Sequence, residues 1–101
     1  MPRGNAPARI DVNQPEITKA FRQMGATVQP IHMIGKGVPD LLVGWNGENF
    51  LVEVKTDKGK LTPDETEWHD GWRGQVIIIR SAIDVFNFMN SKRLPFTEVM
   101  Q

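Results

Sequence analysis

The 101-residue chain contains no cysteine. That excludes disulfides, thiolate nucleophiles and Cys-based zinc sites. It has only two histidines, His32 and His69, so a His-rich metal site is not expected. No apolar run approaches the roughly 18 to 20 residues that span a bilayer, so no membrane partner is expected. The N-terminus carries no apolar signal core, which favours a cytoplasmic, intracellular setting over export. Twelve Lys and Arg balance twelve Asp and Glu. A formal charge of zero argues against a nucleic-acid partner, which usually leaves a basic footprint. The side chains left for chemistry are carboxylates, lysines and hydroxyls.

What is present suits one folded core. Apolar residues make up 40% of the chain, with three Trp among them, which argues for folding rather than disorder. The length leaves no room for a second core. Residues 1–12 hold two Pro, a Gly, Arg3 and Arg9 without any period, and read as a flexible arm. Residues 13–101 read as a single domain.

Asn13-Gln14-Pro15-Glu16 carries a capping-box pattern with an early Pro, so a helix starts there. Ile17, Ala20, Phe21 and Met24 form its apolar stripe, and Gly25 suits its stop. Ala26 to Met33 contains Pro30, which cannot donate a ladder hydrogen bond, so it reads as an edge or irregular strand. Leu41–Trp45 and Phe50–Lys55 flank Asn46-Gly47, a strong hairpin signal because both turn residues need positive φ. Thr62-Pro63-Asp64-Glu65 repeats the capping-box pattern and opens a second helix with Trp68 and Trp72. Gln75–Arg80 holds a continuous apolar run and reads as a central strand buried on both faces. Ser81 opens a last helix with Ala82, Val85, Phe86 and Met89 inward. Residues 92–101 are indeterminate. The order α-β-β-β-α-β-α predicts an α/β fold on a small mixed sheet flanked by helices.

Alternation puts Leu51, Glu53 and Lys55 on one face of their strand and Val52 and Val54 on the other. A two-residue turn at Asn46-Gly47 pairs Trp45 with Glu48 and sets Asp40 opposite Glu53. Opposed Cβ atoms are about 4.5–5.5 Å apart, close enough for two carboxylates to destabilise the sheet. A divalent cation between them reverses that effect, and paired hard oxygens suit Mg²⁺ or Mn²⁺. A four-residue turn pairs Asp40 with Lys55 instead, and a three-residue turn separates the groups. A bland alternative is Lys55 in a salt bridge with Glu53 or Asp40 at the sheet end.

Pro39-Asp40, twelve residues, then Glu53-Val54-Lys55 resembles the signature of PD-(D/E)XK nucleases. The αβββαβ order is similar to that superfamily's restriction-endonuclease-like core. More narrowly, residues 35–44 (GKGVPDLLVG), Val52-Glu53-Val54-Lys55 and Lys60-Leu61-Thr62-Pro63 before a helix resemble the VRR-NUC branch over roughly residues 13–89. The resemblance implies Mg²⁺-dependent DNA endonuclease activity, with Mn²⁺ able to substitute. It implies a homodimer acting on branched DNA, as a Holliday-junction resolvase does. Asp40 and Glu53 would hold the metal together with the Val54 carbonyl. Lys55 would orient or activate water, or stabilise charge developing on phosphorus. Glu16 matches the acidic residue of the family's first helix, yet it is also the capping-box partner of Asn13. Glu65 stands where the family usually has Gln, and is either a further acidic ligand or only a helix cap. The other reading, from a different class, is a non-catalytic DNA-binding or dimerising accessory module on the same fold.

The remaining candidates are weaker. Lys36, Lys58 and Lys60 are loop cations available to DNA phosphates, and Arg3 and Arg9 could embrace DNA from the arm. Trp68 and Trp72 read as core or dimer interface before base-stacking platform. His32 and His69 read as isolated, satisfied or surface residues. Residues 1–60 hold eight basic and six acidic side chains, and two of those acids are expected metal ligands. The net zero is thus a sum over unlike regions and does not exclude DNA. It does predict weak nonspecific binding with a shallow salt dependence.

Overall fold

Among the described residues, four strands and three α-helices follow one another in the order the sequence predicts. The computed structural model describes residues 11–99, with side chains up to Lys92. All but the last two residues of the expected arm lie outside the described residues. The elements are α1 (Gln14–Gln23), β1 (Thr27–Pro30), a 3₁₀ turn (His32–Ile34), β2 (Leu41–Trp45), β3 (Glu48–Val54), α2 (Pro63–Gly71), β4 (Val76–Ile79) and α3 (Ala82–Val99).

The sheet order is β1-β2-β3-β4. β1 to β3 form an antiparallel meander, and β4 adds parallel to β3. A parallel neighbour needs a crossover, and α2 lies in that connection. The Asn46-Gly47 turn is the expected two-residue one, with φ of 51° and 78°. It fixes the expected register, Trp45 opposite Glu48 through Leu41 opposite Val52.

α1 and α3 cover one face of the sheet. Ile17, Ala20, Phe21, Val85 and Met89 pack there on Leu41, Val43, Phe50, Val52, Val54 and Ile79. Phe50 links the layers, with ring centroids 6.2 Å from Phe21 and 5.0 Å from Phe88. Trp45 is buried as expected, and its indole N–H donates to the Met24 carbonyl at 3.0 Å.

Three sequence expectations are corrected. β4 is an edge strand and not the central one, and Ile78 is 38% exposed. β2 and β3 are the strands paired on both sides, and Phe50 to Val54 of β3 is buried throughout. A short apolar run shows that a strand is buried somewhere but not which neighbours it has. Asn13 makes no side-chain cap of α1, so the Asn13–Glu16 capping box is absent. Its amide is used elsewhere, as described below. Of the two readings of Trp68 and Trp72, core or dimer interface, the core is excluded. They stack on each other at 4.6 Å, and Trp72 is 44% exposed. The reason is that α2 turns polar side chains toward the sheet and has no buried residue.

The Thr62–Glu65 capping box forms in full. The Glu65 amide donates to Thr62 Oγ1 at 3.2 Å, and the Thr62 amide donates to Glu65 Oε1 at 2.9 Å. Among the described residues, no helix is long and apolar enough to cross a membrane.

Candidate active site

The ladder between β2 and β3 stops at Leu41, because Pro39 has no N–H to extend it. The Asp40 amide still donates to the Val52 carbonyl at 3.0 Å. The Val54 N–H, left without a ladder acceptor, donates to Asp40 Oδ2 at 2.8 Å. This bond turns the Asp40 carboxylate over the end of β3, beside Glu53. Each of the two carboxyls perturbs the other.

Glu53 is 2% exposed, within a strand that is otherwise apolar from Phe50 to Val54. Burial pushes its carboxyl up to about 9, and the Asp40 charge pushes the same way. Asp40 is also raised, by burial above all, with the Val54 N–H opposing. Glu53 Oε1 is buried with no hydrogen-bond partner among the described residues. Uncompensated burial of an ionised carboxylate is unfavourable by several kcal/mol or more, so the isolated group stays protonated near neutral pH.

Lys55 emerges where β3 ends. Its Nζ lies 2.7 Å from Glu65 Oε1 and 3.7 Å from Glu53 Oε2. Burial pulls the Lys55 ammonium down, but the hydrogen bond and charge of Glu65 outweigh it and raise it overall. For Glu65, burial acts upward and the Lys55 bond acts downward, and the downward effect wins. Lys55 is therefore a cation at neutral pH. One Glu65 carboxylate oxygen both caps α2 and pairs with Lys55.

One helical turn beyond Glu65, His69 Nε2 lies 3.7 Å from Glu53 Oε1. It too is buried without a hydrogen-bond partner. Burial lowers its basicity, opposed by Glu65 and Asp70.

Two clamps hold this end of β3. Asn13 Nδ2 donates to the carbonyls of Lys55 and Arg80 at 3.0 and 2.9 Å. Arg80 Nη1 donates to the carbonyls of Thr56, Gly59 and Asp57 at 2.7, 2.7 and 3.2 Å. The loop before β2 closes the opposite side. Gly35, Lys36 and Gly37 all have positive φ. A Cβ on Gly37 would collide with the Asp64 carbonyl, so only glycine lets this loop seat under the start of α2.

These elements enclose a cavity of about 370 Å³. Five carboxylates line it, from Asp11, Asp40, Glu53, Asp64 and Glu65, against Lys36 and Lys55. The chemistry of this donor set fits a hard divalent cation, whose charge would let Glu53 ionise. Among the described residues no three carboxylate or imidazole groups close around one point as a metal cage. Asp40 and Glu53 would hold the ion, with carbonyl oxygen and water as further ligands.

The structure brings together Asp40, Glu53, Lys55, Glu65 and Lys36. It does not bring in Glu16, which is exposed on α1 and does not line the cavity. Lys58 and Lys60 are exposed in the loop after β3 and do not line it either. The Val54 side chain is in the core, and its backbone N–H serves Asp40. Asp11, Asn13, His69 and Arg80 were not predicted. His69 has a readable signal, since Glu65 and His69 are i, i+4 on one helix face. Asp11 has none, because it sits at the end of a segment without periodicity.

No family model and no curated protein match the chain. A solved structure described as a VRR_NUC domain is similar to it, with 28% identity and a TM-score of 0.65, covering 76% of this chain and 89% of that one. The PD…ExK residues meet at one sheet end in a four-stranded mixed sheet flanked by helices, and that arrangement together with the likeness supports the VRR-NUC family and its PD-(D/E)XK-like nuclease fold.

Proposed function

We propose that the chain is a Mg²⁺-dependent DNA endonuclease, with Mn²⁺ able to substitute. The observation that carries the reading is the buried Asp40–Glu53 carboxyl pair beside the cationic Lys55. A structural salt bridge does not account for it, because Lys55 pairs most closely with Glu65 and leaves Glu53 Oε1 unsatisfied. When bound, the ion supplies charge neutralisation at the scissile phosphate and a polarised water.

The protein's own groups do the rest. Asp40 and Glu53 hold the ion, and the Val54 N–H fixes the Asp40 carboxylate. Lys55, protonated, donates to the attacking water or to a phosphoryl oxygen as negative charge grows there. Glu65 holds the Lys55 ammonium in place. In the net reaction the water oxygen bonds to phosphorus and the bond to the 3′ oxygen breaks. One water proton ends on that oxygen, leaving a 3′-hydroxyl and a 5′-phosphate.

The substrate we propose is branched DNA of the Holliday-junction type, cut by a homodimer. Its support is the family resemblance of the chain and the symmetry argument that paired sites suit paired cuts. The test is cleavage of a four-way junction with Mg²⁺, beside duplex, flap and single-stranded controls. Junction-selective cutting is expected. Cutting that survives Asp40→Ala or Lys55→Ala would sink the active-site assignment, and equal cutting of all four substrates would sink the selectivity.

A further inference from the structure

A second concavity runs beside the first. It lies between the flank of α1 and the turn after β1, and its volume is about 570 Å³. That is within the roughly 300–1,000 Å³ range of ligand sites. Its described lining includes Lys19 and Arg22 and no carboxylate. The contrast with the five carboxylates of the neighbouring cavity is sharp. His32 lines both, so the two spaces adjoin at its imidazole.

Two lining side chains lack the partners that their burial demands. Gln14 is 5% exposed, and its Oε1 has no hydrogen-bond partner among the described residues. His32 Nδ1 is buried and equally unpartnered. Leaving a buried polar atom unsatisfied costs about 1–3 kcal/mol, so a ligand offering both a donor and an acceptor gains by entering. Pro15 and Pro30 supply apolar surface on either side. Arg22 is tethered by one bond, Nη2 to the Val28 carbonyl at 3.3 Å. Lys19 is exposed and makes no ion pair among the described residues.

We propose that this groove is a nucleic-acid subsite that holds the scissile strand away from the cut phosphate. A nucleotide matches it in each respect. Its phosphate suits Lys19 and Arg22, its polar edge suits Gln14 and His32, and its ring or sugar face suits the prolines. The groove also supplies what the acidic cavity lacks, a cationic surface to retain a polyanion whose reacting phosphate sits among carboxylates. The inference rests on the proposed nuclease function.

The test compares wild type with Lys19→Glu/Arg22→Gln. Gln at 22 removes the charge and keeps a polar side chain, and neither position touches Asp40, Glu53 or Lys55. Arg73→Glu, exposed and outside the groove, makes the same change of sign elsewhere. Binding of a labelled junction oligonucleotide is read by anisotropy across a salt series in EDTA, and cleavage kinetics are read in Mg²⁺. For the double variant, the salt slope should fall by about 2 and affinity by about fivefold or more. KM should rise with kcat little changed, and Arg73→Glu should leave the slope alone. An unchanged slope and KM in the double variant, or an equal loss in Arg73→Glu, overturns the subsite while the nuclease reading stands. Wild type that neither binds nor cuts any DNA overturns both.

Discussion

His69 Nε2 faces Glu53 Oε1 across 3.7 Å of the site, and both atoms are buried without a hydrogen-bond partner. The distance is too long for a hydrogen bond and too short for unrelated polar atoms in a dry interior. A neutral imidazole with its proton on Nε2 would donate to Glu53 if a bound cation let that carboxylate ionise. His69 is thus placed to orient Glu53, a metal ligand in the proposed mechanism.

The first prediction follows from that pair. Groups that orient a metal ligand are typically worth 10- to 100-fold in metal affinity. His69→Phe keeps the ring volume and loses the donor. His69→Gln keeps a donor of similar reach. Calorimetric titration with Mn²⁺ should show His69→Phe weakened by about 10- to 100-fold and His69→Gln close to wild type. Equal affinities for all three would show that His69 only fills space.

The second prediction concerns pH. Glu53 titrates near 9 in the folded chain against 4.5 when exposed. Between those values the folded state holds a proton that the unfolded state has lost. Stability from this group is therefore full below about 4.5 and is lost as pH rises through 9. Asp40, raised by burial, acts in the same direction. Lys55 and Glu65 shift in the senses that keep their pair intact across this range. In metal-free buffer the melting temperature should fall from pH 5 to 9, and Glu53→Gln should flatten the fall. Millimolar Mn²⁺ at pH 8 should raise the wild-type melting temperature by binding the native state. A wild type that ignores Mn²⁺ would favour a non-catalytic binding module.

Asp40 has two jobs that one substitution separates. Its carboxylate is a metal ligand in the proposed mechanism, and its Oδ2 accepts the Val54 N–H at 2.8 Å. Asp40→Asn keeps an acceptor for that amide and removes the charge that crowds Glu53. Cleavage and the Mn²⁺-induced stabilisation should both vanish, while metal-free stability at pH 8 stays level or rises. Asp40→Ala strands the Val54 N–H and should be less stable than Asp40→Asn by about 1–3 kcal/mol. Chemical denaturation of the two variants side by side measures the difference.

The parts of this molecule legible in its sequence are those set by short-range rules. Asn46-Gly47 admits few turns, and that turn fixed the β2–β3 register and so the meeting of Asp40 with Glu53. Thr62 and Glu65 are three residues apart, and their mutual cap forms as its pattern predicts. The parts that were not legible depend on which elements lie side by side. Asn13 has the composition of a helix cap, but the ends of β3 and β4 lie within its reach, and its amide goes to Lys55 and Arg80. Nothing local distinguishes those uses. The apolar run of β4 could not reveal that it has one neighbour instead of two. His69 looked isolated because Glu53 is distant in sequence and arrives opposite it through the packing of α2 over the sheet.

The last prediction tests how the lysine is held. Arg80 Nη1 donates to three carbonyls of the loop after Lys55, and the Arg80 carbonyl accepts from Asn13 together with that of Lys55. The Arg80 amide is fixed in turn by Asp84 Oδ2 at 2.8 Å. One guanidinium therefore ties β4 to the segment that carries the proposed catalytic ammonium. Lysine at 80 keeps the charge, but its compact ammonium does not reproduce the planar fork. Arg80→Lys should lower stability by about 1.5–3 kcal/mol, the range for hydrogen bonds to charged groups. Hydrogen exchange should quicken at the amides of residues 55–60 and stay unchanged in β2, whose ladder the substitution does not touch. In junction cleavage kcat should fall more than KM rises, because Lys55 acts on charge that appears only in the transition state. A loss confined to KM would place the loop in DNA binding and leave Lys55 held by Glu65 alone.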